Sequence, residues 1–430
     1  MAAEMTSTSA TLSPVISPVR RLSGPHSIVA IAVMFALATI AAAAQPGTAI
    51  VILVSIDGWR WDYLERFKPP AMMALARRGV VAEGLVPVFP SKTFPNHYSI
   101  VTGLYPDRHG IVSNSMIDPA LPGRFTLSES NRVVQADTRW WGGEPLWVTA
   151  ERQGIAAGTM FWPGSDVEIA GRRPTYWQPY DHGLANEIRV DRVLEWLGRA
   201  GPAAPRFLTL YFSEVDTAGH EHGPESPETR QAALAIDGLI ARLVEGVDRR
   251  GLSERTNVVL VSDHGMASLV RERLIVLDDY VDMSTVDLVD TAPVVAANSI
   301  MGSSESLYLA LKDRHPAMQV YRRDELPARF RVAGHPRLPS VVAIVDDGWH
   351  VTTREALERR KGRVSGGNHG YDPQARSMHG LFVASGPAFR TGLVVPAFEN
   401  IHIYELICRI LGLRPASNDG TLEATKSFLR

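Results

Sequence analysis

Short apolar runs alternate with amphipathic stretches along most of this chain. The runs are rich in β-branched residues and apolar on both faces, which is typical of buried parallel strands. We predict such strands at residues 49–56, 155–161, 206–212, 257–262 and 380–385. Between them, apolar residues recur at helical spacing, and we predict helices at residues 70–78, 184–200, 227–250 and 402–413. This alternation predicts an α/β fold whose mostly parallel central sheet is covered by helices on both faces.

The alternation of apolar runs and amphipathic stretches is interrupted between about residue 291 and residue 364. This stretch contains short ordered segments at residues 306–311 and 340–345 and a candidate helix at residues 323–330. We predict that it forms a small α+β subdomain, inserted into a main domain that spans residues 45–430.

The first 44 residues carry a targeting pattern. Arg20 and Arg21 precede an apolar run at residues 28–44, which ends in small residues before Gln45. This order is typical of a secretory signal peptide and predicts an exported protein, periplasmic or secreted. The run is also long enough for an uncleaved N-terminal anchor. Cleavage is favoured because the run is rich in alanine and ends in an A-x-A pattern.

The composition narrows the class of function. Hydrophobic residues make up 45% of the 430 residues and charged residues 21%, which is typical of a globular protein. The formal net charge of -2 gives no strong field for a nucleic-acid polymer or an anionic membrane. We therefore expect a small-molecule substrate, held locally by metals or a few side chains. The single cysteine, Cys408, excludes an intrachain disulfide, and we predict that it is a core residue.

Three aspartates stand at the ends of predicted strands. Asp57 directly follows the first strand, Asp216 follows the third, and Asp263 follows the fourth. One such residue alone is most often a turn or helix-cap residue. In open α/β sheets, however, ligands bind beyond the carboxyl ends of the strands. The three acids together therefore predict one shared site.

Histidines accompany two of these acids. Asp216 and His220 are four residues apart, a spacing that one helical turn or a tight loop would bring together. His264 directly follows Asp263, and His369 stands in a glycine-rich loop, G-G-N-H-G-Y-D. A set of aspartates and histidines without thiolates suits zinc best, with manganese or iron as lesser options.

The charge of this set favours two metal ions. Two divalent ions supply four positive charges, and the three carboxylates remove three of them, so the site keeps a charge of about +1. That charge matches one phosphodiester anion. A single ion would leave about -1, which would repel the same anion. Two-metal sites clamp both the attacking and the leaving oxygen of a displacement.

A candidate nucleophile lies in residues 90–97, P-S-K-T-F-P-N-H. Thr93 stands just ahead of a predicted helix start at Pro95, and a helix N-terminus offers free N–H groups to an oxyanion. A nearby metal would ease deprotonation of a hydroxyl. Ser91 is a competing hydroxyl, and the pattern alone does not choose between the two.

Seven segments of the chain form a recognisable series. They are I-D-G at residues 56–58, F-P-S-K-T-F-P-N-H-Y at 89–98, T-G-L-Y-P-D-R-H-G at 102–110, F-W-P-G-S-D at 161–166, D-T-A-G-H-E-H-G-P at 216–224, S-D-H-G-M at 262–266 and N-H-G-Y-D at 368–372. Together they resemble the nucleotide pyrophosphatase/phosphodiesterases of the alkaline phosphatase superfamily. The matches occur in family order, and the resemblance covers nearly everything from residue 49 to about residue 413. The resemblance implies an alkaline-phosphatase-like fold.

The resemblance also implies a mechanism and a ligand set. It implies that Thr93 is a covalent nucleophile and that nucleotides are cleaved through a phospho-threonine to release nucleoside 5'-monophosphates. It implies two zinc ions per chain. The implied ligands are Asp57, Asp263 and His264 for one ion and Asp216, His220 and His369 for the other. Two further histidines, His222 and His379, then become loop residues.

The substrate residues that the resemblance implies surround Thr93. Asn114 matches the residue that hydrogen-bonds the phosphate. Phe94 and Tyr180 match the aromatics that sandwich a nucleobase, with Tyr211 in the same pocket and Lys92 beside the nucleophile. The same chemistry on choline-type lipid phosphodiesters or on a phosphonate is an alternative, because an aromatic pair can also hold a quaternary ammonium. A non-catalytic zinc-binding protein is disfavoured, because Thr93 and all the ligands are intact.

Overall fold

The computed structural model describes residue 11, residues 48–364 and residues 366–430. All the strands and helices of the described ranges lie within one compact unit, Ala44–Arg430. The predicted signal peptide at residues 1–44 lies outside the described residues, apart from residue 11. Within the described ranges, no helix is long and apolar enough to cross a membrane.

The elements alternate along the chain as strands and helices. The strands are β1 (Ile50–Ile56), β2 (Val80–Ala82), β3 (Leu85–Val86), β4 (Ser115–Ile117), β5 (Arg124–Thr126), β6 (Ala157–Met160), β7 (Tyr176–Trp177), β8 (Phe207–Phe212), β9 (Thr256–Val261), β10 (Ala267–Ser268), β11 (Leu274–Val276), β12 (Val286–Asp290), β13 (Val294–Ser299), β14 (Met318–Arg322), β15 (Val341–Val345), β16 (His350–Thr352), β17 (Gly367–Asn368), β18 (Phe382–Ser385), β19 (Leu393–Val395) and β20 (Phe398–Glu399). The helices are α1 (Tyr63–Phe67), α2 (Pro70–Arg77), α3 (Thr93–Thr102), α4 (Pro106–His109), α5 (Arg132–Gln135), α6 (Leu146–Arg152), α7 (Asn186–Leu197), α8 (Glu214–His222), α9 (Pro227–Arg249), α10 (Ser304–Leu311), α11 (Arg354–Arg359) and α12 (His402–Leu411).

The central sheet confirms the predicted α/β fold with a mostly parallel sheet. Its strand order is β19-β2-β18-β9-β1-β8-β6-β7. Strands β9, β1, β8, β6 and β7 run parallel to their neighbours in this series. Strand β18, predicted at residues 380–385 among the parallel strands, runs antiparallel to both β9 and β2, so that part of the prediction was wrong. A strand that is apolar on both faces looks the same in either direction, because its side-chain pattern does not encode its hydrogen-bonding direction.

Strand β1 shows how the core is built on both faces of the sheet. All of its residues are buried. Val51 and Leu53 enter one hydrophobic cluster, whereas Ile52 and Val54 enter another, as the alternation of side chains along a strand requires. The first cluster includes α12 with Cys408, which is buried as predicted, and burial raises the pKa of its thiol.

Helix α9 supports the second face and holds a neighbouring helix. Its buried residues Ile236, Ile240 and Leu243 recur at the spacing of one helical face. From the same helix, the buried carboxylate of Asp237 accepts the backbone N–H groups of Ala71 and Met72 at 3.0 and 2.8 Å. Asp237 thus caps the first turn of α2, which has no side-chain cap of its own.

A separate antiparallel sheet lies between β11 and β16. Its strand order is β12-β13-β15-β14. It begins at Val286, ahead of the residues 291–364 predicted to form an inserted subdomain, and the exact extent of that subdomain stays a prediction. The helix predicted at residues 323–330 was wrong, because the structure has two 3-10 turns there, Arg323–Glu325 and Ala328–Phe330. Pro327 separates them, since a proline disfavours helical conformation in the residue before it.

Candidate metal centre and nucleophile

The three aspartates meet at one edge of the central sheet. Ile56 of β1 pairs with Phe212 of β8, and Ser55 pairs with Val261 of β9, so the three strands end side by side. Asp57 follows β1 and Asp263 closely follows β9. Asp216 lies in the first turn of α8, the helix that begins just after β8. Because the three strands are parallel and end side by side, all three carboxylates lie at the same edge of the sheet.

A glycine allows the first and second of these segments to approach. Gly58 has a φ of +67°, and a Cβ atom at this position would lie 2.7 Å from the Cα of Asp216. Any side chain would therefore push the β1 end away from α8. The glycine of the I-D-G sequence at the end of β1 is therefore required for steric reasons.

The six expected ligands form two sets. In the first, Nε2 of His264 lies 3.4 Å from Oδ1 of Asp57 and 3.0 Å from Oδ2 of Asp263. In the second, Oδ1 of Asp216 lies 3.5 Å from Nε2 of His220 and 3.6 Å from Nε2 of His369. Ligands in a tetrahedral zinc site, with bonds of about 2.0–2.1 Å, lie roughly 3.3 Å apart. The spacing within each set fits a metal ion.

The two sets adjoin one another. The rings of His264 and His369, one from each set, stack with centroids 3.5 Å apart and planes inclined by 11°. Asp216, His264 and His369 each offer a ligand atom within 4.8 Å of the others'. This cluster mixes the two sets, and the shorter contacts within each set separate them. The proximity suits a pair of ions that act on one substrate.

The carboxylate oxygens expected to bind metal ions are not used in hydrogen bonds within the described part of the protein. Oδ1 of Asp57, Oδ1 of Asp216 and Oδ2 of Asp263 are buried and have no hydrogen-bond partner among the described residues. The three histidines contact backbone carbonyls through Nδ1: His220 with Gly367, His264 with Gly265 and His369 with Ser91, at 2.9–3.0 Å. Such contacts hold Nδ1 protonated and leave Nε2 with a lone pair for a metal. The residues present therefore fit divalent metal ions.

The electrostatics of the cluster also favour added positive charge. Burial, with the nearby carboxylates of Asp263 and Asp216, raises the pKa of Asp57 well above its ordinary value. Burial and the neighbouring histidines His264 and His220 lower the pKa of His369 well below its ordinary value. Burial thus favours the neutral form of His369, which is the form that binds a metal ion. His264 differs, because the adjacent carboxylate of Asp263 outweighs burial and raises its pKa.

Thr93 and Ser91 occupy different surroundings. Oγ1 of Thr93 lies 3.5 Å from Nε2 of His264, beside the first ligand set. The hydroxyl of Ser91 is fully buried and donates to the carbonyl of Tyr371 at 2.8 Å. Helix α3 begins at Thr93, earlier than the predicted start at Pro95, so Pro95 occupies the first turn, where its missing N–H costs no hydrogen bond.

Sequence reasoning missed His97, which lies behind the first ligand set. Its ring is fully buried, and Nδ1 lies 2.9 Å from the carbonyl of Thr93 and 3.3 Å from Oδ2 of Asp263. Nε2 contacts the hydroxyl of Ser55 at 2.8 Å. The histidine therefore joins the helix of the candidate nucleophile to Asp263, a candidate metal ligand. Its position one helical turn after Thr93 would have indicated this contact, had α3 been predicted to begin at Thr93.

The expected phosphate and pocket residues contact either Phe94, the neighbour of Thr93, or the first ligand set and one another. Oδ1 of Asn114 accepts the backbone N–H of Phe94 at 2.8 Å, which leaves its amide NH2 group as a donor. The hydroxyl of Tyr211 donates to Oδ2 of Asp57 at 2.6 Å. Tyr180 packs edge-on against Tyr211, with ring centroids 6.0 Å apart, and is half-buried. Phe94 is half-buried and packs on the core cluster that contains Val51 and Leu53, whereas Tyr180 packs on the cluster that contains Ile52 and Val54.

Lys92 and the two extra histidines have other partners. Nζ of Lys92 is buried and lies 2.7 Å from Oδ2 of Asp290 in β12, so its charge is already paired. Nδ1 of His379 contacts the guanidinium of Arg376 at 3.0 Å, and the half-exposed His222 lies against Glu221. His379 lies in a loop, as expected, whereas His222 is the last residue of helix α8.

Comparison with known proteins bears on the same residues. The family model described as type I phosphodiesterase / nucleotide pyrophosphatase matches residues 51–372. The human ectonucleotide pyrophosphatase/phosphodiesterase family member 5 is 35% identical over 386 residues, which cover 90% of this chain and 79% of that protein. The human bis(5'-adenosyl)-triphosphatase is 38% identical over 382 residues, 88% of this chain and 82% of that protein.

Solved structures agree with this similarity. The murine ectonucleotide pyrophosphatase/phosphodiesterase 5, in an inactive threonine-to-alanine form in complex with AMP, is 34% identical. It matches with a TM-score of 0.84 and covers 89% of this chain and 100% of its own. The corresponding human structure matches with a TM-score of 0.83, 34% identity, and coverage of 88% of this chain and 99% of its own.

Proposed function

Because this chain belongs to the type I phosphodiesterase / nucleotide pyrophosphatase family, a family of hydrolases, we propose that it cleaves the phosphodiester and pyrophosphate bonds of nucleotides and releases nucleoside 5'-monophosphates. The observation that carries this proposal is the contact between Thr93 and His264 of the first ligand set, in a cluster with three buried carboxylate oxygens that have no hydrogen-bond partner. The murine relative that is inactive as a threonine-to-alanine form and binds AMP supports the same interpretation.

The metal ions that we propose are two zinc ions per chain. One would be held by Asp57, Asp263 and His264, and the other by Asp216, His220 and His369. Bound there, such ions lower the pKa of a neighbouring hydroxyl and stabilise negative charge on the phosphoryl and leaving oxygens. The mixed nitrogen and oxygen donors, without a thiolate, support zinc over softer or harder metals.

The covalent chemistry is that of Thr93. Oγ1 loses its proton to solvent and attacks the phosphorus, the bond from phosphorus to the leaving group breaks, and the leaving group departs with the bonding electrons. Water then gives up a proton and attacks the phospho-threonine, the bond from phosphorus to Oγ1 breaks, Oγ1 takes up a proton, and the nucleoside 5'-monophosphate is released. The amide NH2 of Asn114 donates to a phosphoryl oxygen throughout, because its carbonyl oxygen is already fixed by the N–H of Phe94.

We assign binding of the substrate's nucleoside to the aromatic residues. Phe94 and Tyr180 would stack on the base from the two sides, and Tyr211 would line the same pocket while it orients Asp57. Lys92 acts indirectly, since its ion pair with Asp290 ties the nucleophile's segment to β12. We further propose that the protein is exported, periplasmic or secreted, on the strength of the N-terminal targeting pattern.

Replacing the nucleophile tests this proposal. Thr93→Ala should lower kcat by several orders of magnitude and leave the metal content unchanged, because the covalent step is lost and the ligands stay. Ser91→Ala is the matched control from the same segment, and it should retain turnover. Steady-state rates on a nitrophenyl ester of a nucleoside 5'-monophosphate, with metal analysis of both variants, measure this. Full activity of Thr93→Ala would overturn the mechanism.

A further inference from the structure

Asp290, in strand β12, contacts the chain segments of both Thr93 and Asn114. Its Oδ2 atom lies 2.7 Å from Nζ of Lys92, the residue before Thr93. The same oxygen accepts the hydroxyl of Ser113, the residue before Asn114. Strand β12 belongs to the separate antiparallel sheet, not to the central sheet. A carboxylate from one sheet thus holds the two segments that we expect to meet the phosphate at the edge of the other.

The contacts of this carboxylate are largely buried. The side chains of Lys92 and Asp290 are only 6% and 12% exposed. Lys92 also donates to the carbonyl of Thr291 at 3.3 Å, and Oδ1 of Asp290 accepts the backbone N–H of Thr291 at 2.8 Å. Both oxygens of Asp290 are therefore in use. A buried ion pair of this kind is screened little by salt, and loss of one partner would leave the other charge uncompensated.

A β-bulge in β12 stands immediately before Asp290. Leu288 pairs with Ala297 of β13. Two residues later, Asp290 pairs with Ala296, the adjacent residue of β13. Val289 is therefore an extra residue in β12. Bulges of this kind bend a strand and can redirect a side chain beside a functional site.

The bulge changes the side of β12 on which the Asp290 carboxylate lies. In a regular strand, residues three apart lie on opposite faces, so Asp287 and Asp290 would point away from each other. Both instead contact the region of the β4–β5 hairpin. Asp287 pairs with Arg124 of β5, and Asp290 accepts the hydroxyl of Ser113, two residues before β4. The irregular pairing therefore brings Asp290 to the candidate active site.

The two segments that Asp290 holds are also joined to each other. Oδ1 of Asn114 accepts the backbone N–H of Phe94 at 2.8 Å. The stem of Lys92 has little room to move, because a Cβ atom at Gly370 would lie only 3.2 Å from its Cε. A displacement of Asp290 would therefore be passed to the segments of the hydroxyl and of the amide together.

We propose that Asp290 is a positioning residue, which sets the placement of the Thr93 hydroxyl relative to the Asn114 amide. It acts through Lys92 and Ser113 rather than on the substrate. Placement matters because a shift of about 1 Å in a reacting group can lower a rate about a hundredfold. This inference rests on the proposed function and adds to it a residue from the second sheet.

Replacing the carboxylate by its amide tests the proposal. Asparagine has one acceptor oxygen, so it cannot replace both oxygens of Asp290. On the nitrophenyl ester of a nucleoside 5'-monophosphate, Asp290→Asn should lower kcat at least about tenfold and change KM less than about threefold, because the reacting groups shift while the nucleoside still stacks. Asp290→Glu, which restores the charge and both acceptors, should have a higher kcat than Asp290→Asn. Asp287→Asn is the matched control from the same strand, and it should keep kcat within about twofold, because its ion pair with Arg124 is partly exposed.

A second variant makes the test independent of the fold of the first. Ser113→Ala removes only the contact to the segment of Asn114, and kcat should fall about two- to tenfold, as expected for one lost hydrogen bond. If Asp290→Asn is unfolded by circular dichroism, Ser113→Ala decides the question. Wild-type kcat in Ser113→Ala would overturn the proposal. So would equal losses in Asp290→Asn and Asp287→Asn, a loss that lies entirely in KM, or no recovery in Asp290→Glu.

A crystal structure of Asp290→Asn tests the positioning without turnover. The distance from Oγ1 of Thr93 to the amide of Asn114 should differ from that in the wild-type crystal structure by at least about 0.5 Å, the tolerance of a productive site. Ser113→Ala replaces this variant if it does not fold. An unchanged distance would contradict the positioning role and leave the nucleotide hydrolase intact. Wild-type enzyme that does not cleave the ester would overturn the proposed function instead, while the distance still decides whether Asp290 positions the two groups.

Discussion

At the scale of single residues, the ability of the site to bind a metal depends on which ring nitrogen of each histidine has no backbone hydrogen-bond partner. His220, His264 and His369 all turn Nδ1 toward a backbone carbonyl, and these carbonyls belong to three different segments of the chain. The imidazole rings are therefore held in place before a metal arrives, and Nε2 is the atom presented. Preorganised ligands of this kind lose less conformational freedom on binding.

Removing one such ring should remove about one metal ion. His369→Ala deletes one of three protein ligands from the second set, so we expect the metal content of the purified protein to fall by roughly one ion per chain. His222→Ala, a change in a half-exposed histidine that lies against Glu221, should leave the content at the wild-type value. Elemental analysis of the two variants in parallel measures this. Equal metal content in both would show that His369 is not a ligand.

The aromatic residues give a second prediction at this scale. Phe94→Ala and Tyr180→Ala should each lower kcat/KM for nucleotide esters by roughly one to two orders of magnitude, because stacking on a base contributes about 1–3 kcal/mol. A methyl nitrophenyl diester, which has no base, should be affected far less. Kinetics on the two substrates, with the same variants, isolates the contribution of the base. Parallel losses on both substrates would mean that these rings do not contact a nucleobase.

At the scale of elements, the parallel register explains why part of the site was predictable. Asp57 and Asp263 could be identified because they come after buried apolar runs, and β1 and β9 are indeed neighbours with matched ends. Sequence also identified the pair Asp216 and His220 by spacing, while α8 shows that a helical turn rather than a loop joins them. Local patterns thus predict where a strand ends and which side chains stand just beyond its end.

Contacts between distant segments were not predictable in the same way. The ion pair of Lys92 with Asp290, and the contact of His97 with Asp263, join residues far apart in the chain. No periodicity in a sequence encodes such a meeting, because it depends on how whole elements pack. The direction of β18 belongs to the same class. Resemblance to a family supplied the ligand sets, but not these contacts.

Helix α2 offers a test of one such contact. Asp237→Ala removes the carboxylate that accepts the N–H groups of Ala71 and Met72, and these donors lie in a partly buried first turn. We expect a loss of about 1–3 kcal/mol in the free energy of unfolding. Glu245→Ala is the control on the same helix, because its ion pair with Arg249 is exposed and should contribute less than about 1 kcal/mol. Denaturant titration of both variants measures the difference, and equal stabilities would refute the capping role.

At the scale of the whole molecule, the net charge is small, so the positive charge that an anion meets must be local. The formal net charge is only -2, so long-range steering of an anion is weak. The proposed metal ions would instead place positive charge locally, at the two candidate ligand sets. Anion binding should therefore depend on that centre, and substrate preference should follow from how many negative charges it can accept.

Preference between diesters and monoesters depends on that count. With two divalent ions and three carboxylates, the ligand cluster carries about +1, and ionised Thr93 brings it to about 0. A monoester dianion then presents a second negative charge to the reacting centre, where Asn114 can donate hydrogen bonds but cannot neutralise charge. We expect a methyl nitrophenyl diester to have a kcat/KM at least about tenfold above that of nitrophenyl phosphate, or roughly 1.4 kcal/mol in transition-state binding. Because the two esters share a leaving group and lack a nucleoside, the comparison isolates the charge of the phosphoryl group from base stacking. A higher kcat/KM for the monoester would show that the ligand cluster accepts a dianion, and the two-ion charge count would then be wrong.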